Sequence, residues 1–326
     1  MRRREFITFL GGAAAAWPLV SSAQQTPGYP VIGFLSSDAP DLRERRFRAF
    51  RRGLSEMNYN EDRNVVFEYR FSEEHLERLP ALAADLVHRG VALIFASPTP
   101  AATAAKAATK SIPVVFVVGV DPVQTGLVAS LARPGGNLTG ISNLSVASKR
   151  LEMLHELLPT TKSVGYLVNP TNRAFAESEA RDMKVAAQTL GVNLLIVNVT
   201  DPTGFDSAFA AIMGERPGGI VISGESLFLG NSARLVALAA QYQIPTVYPI
   251  REATAAGGLV SYSADPVDAG RQAGIYAGRI LKGEKPESLP VQQTTKVELV
   301  FNLKTAKSLG LTVPLPLLGR ADAVIE

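Results

Sequence analysis

Ser97-Pro-Thr-Pro-Ala101 carries the sharpest chemical signal in the chain. Thr99 stands where a helix N-cap is expected, Pro100 suits a first helical turn, and an alanine-rich stretch follows. Free N–H groups and the positive end of the helix dipole at such a start would seat a carboxylate, although the same residues also describe an ordinary capped helix. A ligand that carries an ammonium group needs an acceptor too. Asp121, Glu225, Glu252 and Asp265 are the candidates, each charge-assisted bond being worth ~1.5–3 kcal/mol in a closed site. Asp121-Pro122 reads equally well as a plain turn. Arg251 either clamps a carboxylate in a bidentate fork or pairs with Glu252 at the surface. Tyr248 and Tyr262 either stack on a ligand side chain or fill core. Ser36, Ser37, Asn169 and Asn172 add neutral hydrogen-bonding groups, the asparagines being residues that most often make turns. The expected binding set is Ser36, Ser37, Ser97, Thr99, Asp121, Asn169, Glu225, Arg251, Tyr262 and Asp265.

Other chemistries find little support. The three histidines, His75 among glutamates, His88 near a helix end and His155 inside Glu152–Leu158, sit at no strand end and lack metal-ligand spacing. No Gly-x-Ser-x-Gly elbow occurs. Gly278 to Gly283 has Walker spacing but lacks the following Lys-Ser/Thr pair. No catalytic residue, metal ligand or cofactor is therefore expected. The absence of cysteine excludes disulfides and thiol chemistry. The 33 basic and 30 acidic residues nearly balance, and no segment interleaves Lys/Arg with aromatics, so no nucleic-acid partner is expected.

The candidate residues were chosen because they follow strands. In doubly wound sheets, ligands bind beyond the carboxyl ends of the strands, where loops enter helices. Val31-Ile-Gly-Phe-Leu-Ser-Ser37 has the shape of Ser163-Val-Gly-Tyr-Leu-Val-Asn169, and Ser111-Ile-Pro-Val-Val-Phe116 that of Gln243-Ile-Pro-Thr-Val-Tyr248, both pairs at one offset. We read this as a duplication. The first half predicts strands at 31–36, 64–70, 91–96 and 113–118, with helices at 43–56, 76–89 and 100–110. The second half predicts strands at 163–168, 193–199, 219–223 and 245–249, with helices at 175–190, 205–214 and 231–242. The strands are continuous apolar runs, as in parallel sheets covered by helices on both faces. From Gly257 a tail of strand, helix, strands and short helix completes the two units rather than starting a third. The chain should then cross between them near 142–147, 263–267 and 291–302. The fold class is α/β: two doubly wound parallel-sheet lobes joined by a three-strand hinge.

Residues 1–23 read as a signal peptide. Arg2, Arg3 and Arg4 precede a Gly/Ala-diluted apolar run, and Ser21-Ser22-Ala23 suits cleavage before Gln24. Arg3-Arg4-Glu5-Phe6-Ile7 fits twin-arginine export, with general secretion the alternative. A membrane anchor is the other reading, but the run falls short of the ~20 residues needed to span a bilayer. An exported protein, freely dissolved in the periplasm, is expected.

Longer strings carry a resemblance. Asp121-Pro122-Val123, Arg133-Pro-Gly-Gly-Asn-Leu-Thr-Gly140, Lys149-Arg-Leu-Glu-Met-Leu-His-Glu-Leu-Leu-Pro159, Tyr276-Ala-Gly-Arg-Ile-Leu-Lys-Gly-Glu-Lys-Pro286 and Leu303-Lys-Thr-Ala-Lys-Ser-Leu-Gly-Leu311 resemble the TrpX-type substrate-binding proteins of ABC transporters. The similarity runs from Val31 to Glu326. It implies the class I periplasmic-binding-protein fold, with an N-terminal lobe of 24–143 plus 265–295 and a C-terminal lobe of 144–264 plus 296–326. It also implies a small-molecule ligand, most often an aromatic or other amino acid or a related carboxylate, and an inner-membrane ABC permease as partner; a monomeric binding protein is expected. A sensor subunit feeding a membrane receptor is the alternative output, and a periplasmic enzyme with carboxylates at the lobe interface a more distant one. The sequence departs from the family at Gly224-Glu225-Ser226-Leu227-Phe228 and Ala264-Asp265-Pro266, where relatives carry Asp-Pro-Phe-Phe-like and Gly-Thr-Ser stretches. Those loops put ligand identity in question.

Overall fold

The computed structural model describes residues 28–326 save 39, 74, 144, 145, 265, 295 and 296. The signal-peptide reading therefore lies outside the described residues. In chain order the first elements are β1 (Val31–Ser36), α1 (Pro40–Glu56), β2 (Val66–Phe71), α2 (Leu79–His88), β3 (Leu93–Ser97), α3 (Thr99–Ala108), β4 (Val114–Val118) and β5 (Leu138–Asn143). Then come α4 (Ala147–Leu157), β6 (Ser163–Val168), α5 (Arg173–Leu190), β7 (Asn193–Asn198), α6 (Phe205–Gly214), β8 (Gly219–Ile222), α7 (Ser226–Gly230), α8 (Ser232–Gln241), β9 (Thr246–Tyr248), α9 (Arg251–Ala255) and β10 (Val260–Ala264). The tail holds α10 (Pro266–Leu281), β11 (Gln292–Thr294), β12 (Val297–Asn302), α11 (Leu303–Ser308), α12 (Leu315–Leu318) and β13 (Ala323–Ile325).

The strands form two sheets. The first runs β11-β5-β4-β3-β1-β2 and the second β13-β12-β10-β9-β8-β6-β7. Within each, the first five strands in sequence take the same order, second–first–third–fourth–fifth, which is the doubly wound pattern. All pairings are parallel except β10 with β12, which run antiparallel. The α/β, two-lobed architecture expected from the apolar runs is thus the one observed. The strand β5 was not expected, because Thr139, Gly140 and Ser142 interrupt its apolar pattern. It pairs with β4 from Val114↔Leu138 to Val118↔Ser142, and a Cβ at Gly140 would fall 2.1 Å from the Phe116 carbonyl oxygen.

The chain passes between the sheets three times: from β5 into α4, from β10 into α10 and from β11 into β12. The Thr294 hydroxyl donates to Asn143 Oδ1 at 2.8 Å, tying β11 to β5 where both leave the first sheet.

After the second crossing, α10 returns to the first lobe and packs on α1 almost backbone to backbone. A Cβ at Gly53 would meet the Arg271 carbonyl oxygen at 1.8 Å, and one at Gly274 the Phe50 carbonyl oxygen at 2.1 Å. Only glycine permits that approach. Ala269, Ala273, Tyr276, Ala277 and Ile280 thereby join the buried cluster of Ile32, Phe34, Phe50 and Phe95, each large apolar group contributing about 1.5–3 kcal/mol on burial. The seam also holds α1 in place, and α1 carries an arginine that reaches the cleft.

Candidate functional site

A cavity of about 90 Å³ lies between the lobes. The first lobe supplies Leu42 and Arg46 from α1, Pro98 and Thr99 after β3, Val117 to Gly119 at the end of β4, and Asn143. The second lobe supplies Arg150 from α4, Asn172, Phe175 and Glu179 around α5, Gly224 to Ser226 after β8, Pro249 and Ile250 after β9, and Ser263 and Ala264 in β10. Most of these residues follow the carboxyl ends of parallel strands, which is where an α/β sheet receives ligands.

Each wall holds a buried ion pair. In the first lobe Arg46 Nη1 donates to Asp38 Oδ2 at 2.6 Å and to the Ser97 hydroxyl at 3.1 Å. The Asp38 amide in turn donates to Ser36 Oγ at 3.1 Å, which fixes the turn leaving β1. In the second lobe Arg150 Nη2 donates to Glu179 Oε1 at 2.9 Å, with the two side chains 2 % and 1 % exposed. Glu179 also accepts from Tyr166 Oη at 2.6 Å, from Ser223 Oγ at 2.5 Å and from the Gly224 amide at 3.3 Å. Burial, and then the charge of Glu179, drive the Tyr166 phenol well above its ordinary range, so it remains a donor. Neither arginine is saturated. Among the described residues, Arg46 Nε and Arg150 Nε are buried without a hydrogen-bond partner, a costly state that an added acceptor would relieve.

Glu225 caps the short helix α7 by accepting from the Leu227 amide at 2.9 Å. Asn169 Nδ2 donates to it at 3.0 Å and Asn172 Nδ2 at 3.3 Å. Burial nevertheless raises its carboxyl above the ordinary range, more than these bonds lower it, and Asp38 adds a smaller upward push. The lobes meet beside it. Ser226 Oγ donates across the cleft to Asp38 Oδ1 at 2.8 Å, Arg45 pairs with Glu252, and Arg181 Nη1 donates to Gln124 Oε1 at 3.5 Å. Leu42 packs into a second-lobe core cluster, and Phe175 into a first-lobe one. The cleft is closed.

The expected site residues divide. Thr99, Glu225 and Asn172 line the cavity. Thr99 is not the cap of α3 but its first residue, with Pro98 in the cap position; its buried hydroxyl finds no partner among the described residues. Ser36, Ser37, Ser97 and Asn169 are buried one layer behind; Ser97 and Asn169 there hold Arg46 and Glu225. Asp121 does not reach the cavity, because its carboxylate is taken by the Val123 and Gln124 amides in a turn. Arg251 is exposed and pairs with Glu298 rather than Glu252. Tyr262 packs its ring against the second-lobe core, while its carbonyl accepts a long bond, 3.5 Å, from Arg150 Nη1. Tyr248 is core. Asp265 lies outside the described residues.

The sequence reading missed Asp38, Arg46, Arg150, Phe175 and Glu179. A signal was present for two of them. Arg150 sits among Ala147, Leu151, Met153 and Leu154 on the buried face of α4, and Glu179 among Phe175, Ala176 and Met183 on that of α5. A charge inside an apolar helical stripe is rarely buried without a partner. Arg46, in an arginine-rich helix, had no such contrast.

Comparisons with known proteins bear on the whole chain. A family model described as ABC transporter substrate binding protein matches residues 30–325. A tyrosine-binding protein of Clostridioides difficile is 25% identical over 264 residues, covering 81% of this chain and 76% of that one. A crystal structure of an ABC domain in complex with L-Trp from Streptococcus pneumoniae is 26% identical with a TM-score of 0.83, covering 91% of this chain and 100% of that one. A conserved domain protein from Vibrio cholerae is 29% identical with the same TM-score of 0.83, covering 91% and 99%.

Proposed function

The chain belongs to the ABC transporter substrate-binding protein family, and from that premise we propose that it captures a small amino acid or related carboxylate in the inter-lobe cleft and hands it to an inner-membrane ABC permease. The observation that carries the ligand class is the pair of incompletely bonded arginines, Arg46 and Arg150, one on each wall of the same cavity. They offer charge-assisted donors to a carboxylate, and the unpartnered Thr99 hydroxyl adds a third polar contact. Glu225, when ionised, is the acceptor for an ammonium group; among the described residues its Oε1 holds only the 3.3 Å bond from Asn172.

Closure follows from the chain path. Residues 24–143 with 265–295, and 144–264 with 296–326, act as two bodies that rotate about the three crossings. Ligand contacts made to both walls exist only in the closed form, so binding shifts the open–closed equilibrium. A micromolar dissociation constant corresponds to about −8 kcal/mol, within reach of a few charge-assisted bonds and one buried apolar group. We place the protein in the periplasm as a monomer, after removal of residues 1–23; no helix among the described residues is long and apolar enough to cross a membrane.

The test is a thermal-shift screen of residues 24–326 against amino acids, matching acids without the amine, and small sugars. A ligand at a hundredfold excess over its dissociation constant adds about 2.7 kcal/mol of stability. Stabilisation by amino acids or their acids supports the reading, and stabilisation by sugars alone removes it.

A further inference from the structure

Each lobe inserts an apolar side chain into the other. Leu42, from α1 of the first lobe, joins the second-lobe cluster of Leu227, Phe228 and Ile250. Phe175, in the first turn of α5, crosses the opposite way into the first-lobe cluster that holds Phe116, Val118 and Val120. Its ring ends against residue 119, which is glycine. A Cβ there would lie 2.7 Å from Phe175 Cε2, too close for either carbon to stay where it is. Gly119 follows β4 and its φ lies outside the left-handed region, so its own backbone would accept an alanine. The obstacle to a side chain at 119 is thus a ring supplied by the other lobe. Towards the second lobe the ring is in ordinary contact, 3.6 Å from where a Cβ of Gly224 would stand. One helical turn further along α5, Glu179 holds Arg150.

We infer that Phe175 and Gly119 form a knob and socket between the lobes, and that this pair sets the balance between the open and closed forms. The inference rests on the two-body closure proposed above. When the lobes part, the ring leaves with α5 and loses its first-lobe packing. When they meet, that packing is regained in full only where residue 119 has no side chain. A contact made in one state alone shifts the equilibrium by its whole free energy. A methyl group at 119 is therefore harmless in the open form and overpacks the closed one. Both residues also line the cavity, so a binding assay would mix closure with ligand contact.

Cross-linking reads closure without a ligand. The chain has no cysteine, and the exposed Gln124 and Arg181 face each other over the gap with side chains 3.5 Å apart. Gln124→Cys with Arg181→Cys gives a pair that a short bismaleimide joins when the lobes meet. Gly119→Ala should slow that reaction by at least about fivefold, and Phe175→Ala should slow it as well. In a Phe175→Leu background, where the clashing ring edge is gone, Gly119→Ala should change the rate by less than about twofold. A local role for either residue would give no such rescue. A wild-type rate in Gly119→Ala overturns the inference, and so does an undiminished loss in the leucine background. Should Gly119→Ala not fold, a wild-type rate in Phe175→Ala overturns it. If the cysteine pair is not joined even with Gly119 and Phe175 in place, two-body closure fails and the inference with it, while the amino-acid reading stands on its own screen.

Discussion

The two lobes each show a buried arginine–carboxylate pair to the cleft, but they hold it differently. In the second lobe, Glu179 collects Arg150, Tyr166, Ser223 and the Gly224 amide, all from its own lobe. In the first, Asp38 sits in the turn after β1, takes Arg46 from α1, and gives its other oxygen to Ser226 across the gap. The bonds named for the second-lobe pair lie within one lobe and stand whether the cleft is open or shut. The other is completed only on closure. Burying an ion pair adds little net stability, whereas removing one partner strands a desolvated charge. The second-lobe pair therefore acts as a fixed receptor wall, and the first-lobe pair reports whether the lobes have met.

The largest effect should come from the self-contained pair. Arg150→Ala takes away the guanidinium that Glu179 pairs with at 2.9 Å, and denaturant unfolding should show a loss of about 3–5 kcal/mol. Arg46→Ala should lose less, about 1–3 kcal/mol, because Asp38 keeps Ser36 and Ser226. Equal losses would break the contrast between the lobes.

Next comes Glu225. Its carboxyl titrates above the ordinary range because it is buried, and the ionised form is the one that accepts an ammonium group. Affinity for an amino acid should therefore hold at high pH and fall as pH drops through that raised midpoint. Glu225→Gln should weaken binding by ~1.5–3 kcal/mol and flatten the pH profile in calorimetric titrations. An unchanged profile would take Glu225 out of ammonium recognition.

Ser226→Ala sharpens the comparison at smaller cost. Losing its bond to Asp38 removes a contact specific to the closed form, so affinity should drop by about 1 kcal/mol, roughly fivefold. Scattering from the ligand-free protein should move toward the open dimensions. Smallest of all, Arg251→Ala and Asp121→Ala should leave affinity unaltered and stability within about 0.5 kcal/mol, since one pairs at the surface and the other caps a turn. A tenfold affinity loss in either would mean that the cleft extends beyond its present walls.

The sequence made the scaffold legible because parallel strands buried on both faces write themselves as uninterrupted apolar runs, and the repeat of Val31–Ser37 in Ser163–Asn169 gave the second lobe from the first. It did not show β5, whose polar Thr139 and Ser142 donate to the Leu289 and Val120 carbonyls rather than facing water. For the candidate site, reading polar groups at strand ends named Thr99 and Glu225, which line the cavity, and Ser36, Ser97 and Asn169, which bond to Asp38, Arg46 and Glu225. It misplaced Arg251 and Asp121 because a charge beside a strand end is satisfied as readily by a surface partner or a turn amide. It overlooked Arg150 and Glu179 because both stand within helices rather than at strand ends, although each interrupts an apolar helical stripe.

The glycine seam between α1 and α10 bears on the order of assembly. Strands β1 to β5 and helix α1 are synthesised first, yet the face of α1 that Gly53 opens stays bare until residues 266–281 exist. By then the whole of α4 to β10 has been made. The N-terminal lobe is thus completed only after most of its neighbour has been made, its core waiting on a helix encoded beyond β10. Contacts of such long sequence separation slow folding and leave apolar surface uncovered meanwhile. A chain ending at Asn143 would keep β1 to β5 but lose β11 and the helix that seals Phe34, Phe50 and Phe95.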